Sequence, residues 1–151
     1  LATLSMNRTP ATDAGMAGVA SCKNLNALYL MQTRVGNTGL KHLSVLKELS
    51  NLDLTNTPVG DAGLKEIADL TDMQYLNLER TQTTDAGVLH LSKMTKLNSL
   101  NLGGTKITVK SGGQIGKFTN LTMLTLDKTS FGDAGFSQLS GLKSISTLSA
   151  E

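Results

Sequence analysis

The chain has 151 residues, the length of one ordinary globular domain, and its net charge of +2 comes from scattered residues that leave no electrostatic footprint for nucleic acid or an anionic membrane. No apolar run approaches the length of a membrane span, the start LATLSMNRTP lacks the basic-then-apolar layout of a secretory signal, and the lone Cys22 excludes an internal disulfide or a thiol-rich metal site. With no Trp, two Tyr and three Phe, the chain is short of the large side chains that fill a compact globule, so its interior must be built another way.

The first stretch shows how. Leu1, Leu4, Met6 and Thr9 return 24 residues later as Leu25, Leu28, Leu30 and Thr33, and again as Leu49, Leu52, Leu54 and Thr57. The same frame runs on through Met73, Leu97, Leu121 and Ile145, dividing the chain into full repeats 1–24, 25–48, 49–72, 73–96, 97–120 and 121–144 and a partial one, 145–151. A fixed period of this size marks a repeat array, and the whole chain reads as a single domain of such repeats. Beginning on Leu at a repeat boundary, it reads as a processed or truncated product, so the missing signal says nothing about compartment.

Within the third repeat, Leu52 and Leu54 alternate with Asn51, Asp53 and Thr55, the pattern of a short half-buried strand with leucines inward. Asn56 to Val59 end it, since Pro58 has no N–H to give a ladder. In GDAGLKEIADLTD, Asp61 is placed as a helix N-cap and Leu64, Ile67 and Leu70 form a helical stripe. Asp13, Asp85 and Asp133 repeat the cap, with Asn37 substituting. Gly63 falls in the first turn, where a missing Cβ lets adjacent units approach. The column Ala20, Ser44, Ala68, Ser92, Gly116 and Ser140 predicts a tightly packed helix face. The strictly repeating Thr57 position lies between inward leucines, so its hydroxyl must be paired; a ladder joining each turn to its neighbour is expected. One such unit buries too little apolar surface to offset its ordering entropy, so stability must come from neighbours covering each other's flanks.

The pattern L-x-x-L-x-L-x-x-T followed by V/T-x-D-A-G-L resembles the leucine-rich repeat family over the whole chain, with Thr where the family usually has Asn. The D-A-G-L helix start is similar to bacterial repeat proteins with this motif and to the cysteine-containing repeats of F-box substrate adaptors, of which only Cys22 keeps the cysteine. The resemblance implies an α/β solenoid in a right-handed arc, with a parallel β-sheet on the concave side and short helices on the convex side. It also implies a non-enzymatic protein-binding scaffold.

The remaining repeats depart from the frame in few places. Cys22 occupies a column otherwise held by Leu46, Leu70, Met94, Phe118 and Leu142 and reads as a buried small hydrophobe. In the fifth repeat, GGTKITVKSGGQIGKF, Val109 replaces the capping Asp and Ser111 the glycine. Ser111 with Gln114 predicts a capping box and a helix starting about two residues late. Gly112, Gly113 and Gly116 predict the most mobile convex segment. The stretch is not a phosphate loop: Ser111 stands where the first glycine belongs and Phe118 where a hydroxyl is needed.

Neither catalysis nor metal binding has positive support. His42 and His90 share a repeat position with Glu66 between them, but helices packed about 8–10 Å apart hold two such imidazoles too far apart for one zinc. No Ser, His and Asp set or carboxylate pair recurs at a catalytic spacing, leaving only the irregular fifth repeat as a place to look for a hydrolase or transferase. Asn7 with Thr9 and Asn120 with Thr122 fit a glycosylation acceptor by chance, both threonines having structural explanations. The outward face of the sheet is the candidate site. Tyr29 and Tyr75 fall on it roughly 10 Å apart, surrounded by Met31, Asp53, Asn77, Glu79, Arg80 and Asn101, with Met123, Asp127 and Lys128 further along. Tyr and Arg are common interface anchors. The expected partner is a protein, with no cofactor; the uncapped ends offer a route to self-association. The alternative is a structural segment of a longer repeat protein, a substrate adaptor or secreted effector, whose recognition surface lies elsewhere.

Overall fold

The computed structural model describes residues 1–151. Strands β1 (Thr3–Ser5), β2 (Ala27–Tyr29), β3 (Asn51–Asp53), β4 (Tyr75–Asn77), β5 (Ser99–Asn101), β6 (Met123–Thr125) and β7 (Thr147–Ser149) lie in one sheet in chain order. Every neighbouring pair is parallel, and Leu28 pairs with Leu52, Leu52 with Leu76, Leu76 with Leu100 and Leu100 with Leu124. A slip of one residue would turn all these leucines into water, which is why the register follows the repeat. Leu28, Leu30, Leu52, Leu54, Leu76 and Leu78 are fully buried and join Leu40, Leu64, Ile67 and Val88 of the helical side in one core running through the stack. The ends lack a neighbour: Leu4 is half-buried and Leu148 is 48% exposed. Cys22, also near an end, is half-buried against the core and not fully enclosed.

After each of the first six strands the chain turns through one left-handed residue. Arg8, Gln32, Asn56, Arg80 and Lys128 have φ between 52° and 58°, and Gly104 has φ 64°. The turn lets these amides donate to the next repeat, as Asn56 N does to Glu79 O at 2.8 Å and Arg80 N to Gly103 O at 2.8 Å. Only Asn56 and Gly104 are of types that adopt this conformation readily, so residue identity alone concealed the position.

Short helices α1 (Asp13–Val19), α2 (Asn37–Leu43), α3 (Asp61–Glu66), α4 (Asp85–His90), α5 (Gly112–Ile115) and α6 (Gly132–Phe136) carry the convex side. Here three expectations are corrected. The threonines do not tie one repeat to the next: Thr33, Thr57, Thr81 and Thr105 donate to Leu30, Leu54, Leu78 and Leu102 O of their own turns, at 2.6 to 2.8 Å. A carbonyl three residues back is always within reach of such a hydroxyl, whereas the neighbour's backbone is engaged in the ladder.

The acidic residue makes the tie instead. Asp61 is not the N-cap but the first helical residue after Gly60, and its carboxylate accepts from Thr84 N at 2.8 Å and Thr84 Oγ1 at 2.6 Å in the following repeat. Asp13 accepts from Gly36 N at 2.5 Å, and Asn37 from Gly60 N at 2.8 Å and Gly63 N at 3.0 Å. Asp85 accepts from Thr108 N, Thr108 Oγ1 and Ser111 Oγ. The side chains that do cap are Thr84 and Thr108, which accept from Ala86 N and Lys110 N. Each staple needs the next unit to lie close, and Gly63 permits it: a Cβ there would come within 2.7 Å of Asn37 Oδ1. The column from Ala20 to Ser140 is half-buried or exposed, and Gly116 is its one closely packed glycine; in the second to fourth repeats the tight face belongs to Gly39, Gly63 and Gly87.

A second ladder joins the turns, through Arg34 N to Ala11 O, Gln82 N to Val59 O, Lys106 N to Thr83 O and Ser130 N to Ile107 O. Its missing step falls at Pro58, which has no N–H.

In the fifth repeat a 3₁₀ turn, Val109–Ser111, precedes α5, so the α-helix does begin late. The capping box is absent, however, because Ser111 Oγ donates to Asp85 and the capping oxygen is that of Thr108. Gly112 and Gly116 face the sixth repeat so closely that a Cβ on Gly116 would lie 2.5 Å from Gln138 O. Val109 offers no carboxylate for Gly132, and the sixth repeat is held instead by Gln138 Nε2 donating to Val109 O at 3.3 Å.

Candidate binding face

Strand alternation and the parallel register set the outward side chains in rows. Ala27, Asn51, Tyr75, Ser99 and Met123 form one row, and Tyr29, Asp53, Asn77, Asn101 and Thr125 the next. Met31, Thr55, Glu79, Gly103 and Asp127 follow where the strands end. Tyr29 and Tyr75 therefore stand two strands and one row apart, both half-buried.

Much of this face is hydrogen-bonded to itself. Asp53 accepts from Thr55 N at 2.9 Å and Thr55 Oγ1 at 2.6 Å, Asn77 from Glu79 N at 3.0 Å, and Asn101 from Gly103 N at 2.9 Å. These three close the end of the strand, and Asn77 is buried. Asn7 plays a related part by accepting from Met31 N at 2.8 Å. Asn77 Nδ2 donates to the Tyr75 hydroxyl at 3.2 Å, which fixes that ring. Burial raises the Tyr75 hydroxyl above its ordinary pKa of 10.0, with Asp53, Tyr29 and Glu79 adding to the shift and the Asn77 bond opposing it.

Glu79 reaches two partners, Arg80 Nε at 3.5 Å and Asn101 Nδ2 at 3.4 Å. Arg80 sits in the left-handed turn with a largely exposed side chain. Beyond it opens a cleft of about 130 Å³ lined by Glu79, Arg80, Gly103, Gly104, Thr125, Asp127 and Lys128. Sequence reasoning named its four charged residues but missed the two glycines that open it. Their signal was present: every other repeat carries side chains at both positions.

His42 and His90 are half-buried on α2 and α4, with α3 between them. No group of three His, Cys, Asp or Glu side chains is arranged to hold a metal ion, and no helix is long and apolar enough to cross a membrane.

Comparison with known proteins agrees with this geometry. A family model described as Leucine Rich repeat matches residues 48–68, the span of one repeat, and the parallel sheet extends that unit along the entire chain. The chain has the fold of a leucine-rich-repeat solenoid. Among solved structures it is similar to an internalin (inlF) from Listeria monocytogenes, with TM-score 0.83 and 24% identity over 98% of this chain and 47% of the internalin. It is also similar to the plant peptide hormone receptor RGFR1, solved in complex with RGF2, with TM-score 0.70 and 20% identity over 99% of this chain and 24% of the receptor. This solenoid thus spans about half of one relative and a quarter of the other, and the likeness is one of fold. No curated protein matches its sequence significantly.

Proposed function

We propose that the solenoid is a non-enzymatic scaffold that binds a protein partner across its concave sheet, with Tyr29 and Tyr75 as anchors. The observation that carries this reading is the pre-paired face: Asp53, Asn77 and Asn101 are already hydrogen-bonded, so the two tyrosines are presented on a rigid support. A surface ordered before binding loses less conformational entropy when a partner docks, and aromatic side chains contribute large contact area with few rotors. A fold neighbour, the plant peptide hormone receptor RGFR1, was solved in complex with RGF2. Met31, Glu79 and Arg80 flank the anchors and complete the surface.

The test compares capture of a binding protein by the native chain and by Tyr29→Ala with Tyr75→Ala. Loss of an anchor pair should weaken binding by roughly tenfold or more; equal recovery by both chains would remove this face from the reading.

A second reading treats the chain as a structural segment of a longer repeat protein. The short share of each relative that it spans and the exposed Leu148 at one flank favour it. The same flank could be covered by a second copy. Light scattering over a range of concentrations separates these cases, since a constant monomer mass rules out self-association.

A further inference from the structure

The feature that the tyrosine anchors leave unused is the gap in the fifth repeat. Where the strand gives way to the turn, the neighbouring repeats carry Glu79 with Arg80 and Asp127 with Lys128, while the fifth carries Gly103 with Gly104. Two side chains are therefore missing from an otherwise continuous wall, which leaves the 130 Å³ cleft. Gly103 is buried as its floor, and Gly104, at φ 64°, takes the left-handed turn without strain.

The walls have a definite charge pattern. On both sides the carboxylate stands two residues beyond the strand and the cation follows at the turn, so each wall reads acid then base in the same direction. No apolar side chain lines the cleft, which gives an apolar anchor nothing to pack on. The lining charges sum to zero, so a ligand bearing one charge is attracted by one pair and repelled by the other. A ligand bearing both, side by side, is attracted at each end. Lys128 has no ion-pair partner in the structure, and Asp127 uses only Oδ1, which accepts from Ser149 Oγ at 2.7 Å and Glu151 N at 3.0 Å. Both can still receive a counter-charge.

We propose that the Gly103–Gly104 cleft is a charge-pair subsite that takes an adjacent basic and acidic side chain from the protein partner, the base between Glu79 and Asp127 and the acid toward Arg80 and Lys128. It rests on the concave sheet being the docking face and specifies what kind of segment docks beside the tyrosines.

The experiment is a ¹⁵N NMR titration of the whole chain with the blocked tetrapeptides Gly-Arg-Glu-Gly and Gly-Glu-Arg-Gly, against versions in which Gln replaces Arg, Glu or both. Saturable shifts of the Gly103 and Gly104 amides are expected with at least one charge-pair peptide, and each single-charge peptide should bind roughly threefold more weakly. Gly103→Met places in the cleft the residue that the second repeat carries there as Met31, and should abolish the response while the remaining amide spectrum is preserved. Shifts that fail to saturate, or that the doubly neutral peptide reproduces, overturn the subsite. The Tyr29→Ala, Tyr75→Ala protein keeps the two ideas apart. If it loses the partner while the native chain ignores the peptides, the subsite falls and the sheet reading stands. If it keeps the partner and the peptides still saturate Gly103, the subsite stands and the tyrosine reading falls.

Discussion

The junction between the fourth and fifth repeats and that between the fifth and sixth perform the same task with different materials. At the first, Asp85 gathers Thr108 N, Thr108 Oγ1 and Ser111 Oγ, the last of these fully buried. At the second, Val109 stands where the acid should be, and close glycine-to-backbone approach with one amide bond from Gln138 takes over. The difference teaches that this stack is held by specific directional ties as well as by leucines, and that an absent tie is compensated by packing distance.

The largest effect that breaks the comparison should come from Asp85→Ala against Asp133→Ala. The first leaves the Thr108 amide and a buried Ser111 hydroxyl without their acceptor and should cost about 2–3 kcal/mol. The Asp133 side chain is exposed and makes no hydrogen bond, so its replacement should stay within about 0.5 kcal/mol. Urea melts of the two variants check both; equal losses would mean that the acid acts through its own helix and not through the next repeat.

Next in size is Gly63→Ala, whose Cβ would crowd Asn37 Oδ1 and, at 3.0 Å, Leu40 Cδ1. It should cost about 1–2 kcal/mol. Gly15→Ala in the first repeat meets nothing within 4 Å and should be neutral or slightly stabilising. Thermal melts of the pair give the contrast directly.

Smaller again is the gain from Val109→Asp, which restores the missing acid opposite Gly132. An added staple should stabilise by about 0.5–1 kcal/mol, seen as a higher denaturant midpoint with an unchanged slope. A loss would show that the 3₁₀ turn at Val109–Ser111 directs the new carboxylate elsewhere.

Acid titration gives the finest contrast. Burial alone would raise the Asp85 pKa, but the hydroxyls of Ser111 and Thr108 and the Thr108 amide outweigh it and hold the group below its ordinary value of 3.8. A depressed carboxylate contributes stability that is present above pH 3.8 and lost as the pH falls through the folded value. Asp85→Asn, which copies the amide that Asn37 supplies in the second repeat, should flatten the stability curve in that acid range. An unchanged acid slope would indicate that Asp85 is not the linked group.

How much was legible beforehand divides along the same line. The strand alternation at Leu52 and Leu54, the approach at Gly63 and the missing ladder donor at Pro58 were readable because each depends on a residue's own geometry or on burial of its own side chain. The strand itself ends at Asp53, at the same repeat position as in its neighbours that have no proline. The Thr57 and Asp61 roles were assigned the wrong partners: a polar residue states that it needs a hydrogen bond without stating whose. The candidate face was legible as a set of outward rows, but not that Asp53, Asn77 and Asn101 each close their own strand. The cleft at Gly103 was overlooked although its signal was present, because it consists of what neighbouring repeats have and this one lacks.

By itself the 24-residue recurrence of leucine determined a stacked repeat array in which every unit buries the same face, and the resemblance to leucine-rich repeats implied the parallel sheet. Only stacking decided that Asp61 reaches Thr84 and that a gap opens between Glu79 and Asp127. Hydrophobic burial is non-directional and can be read from periodicity, whereas a hydrogen bond between repeats exists only once two backbones have been brought to within a few ångströms of each other.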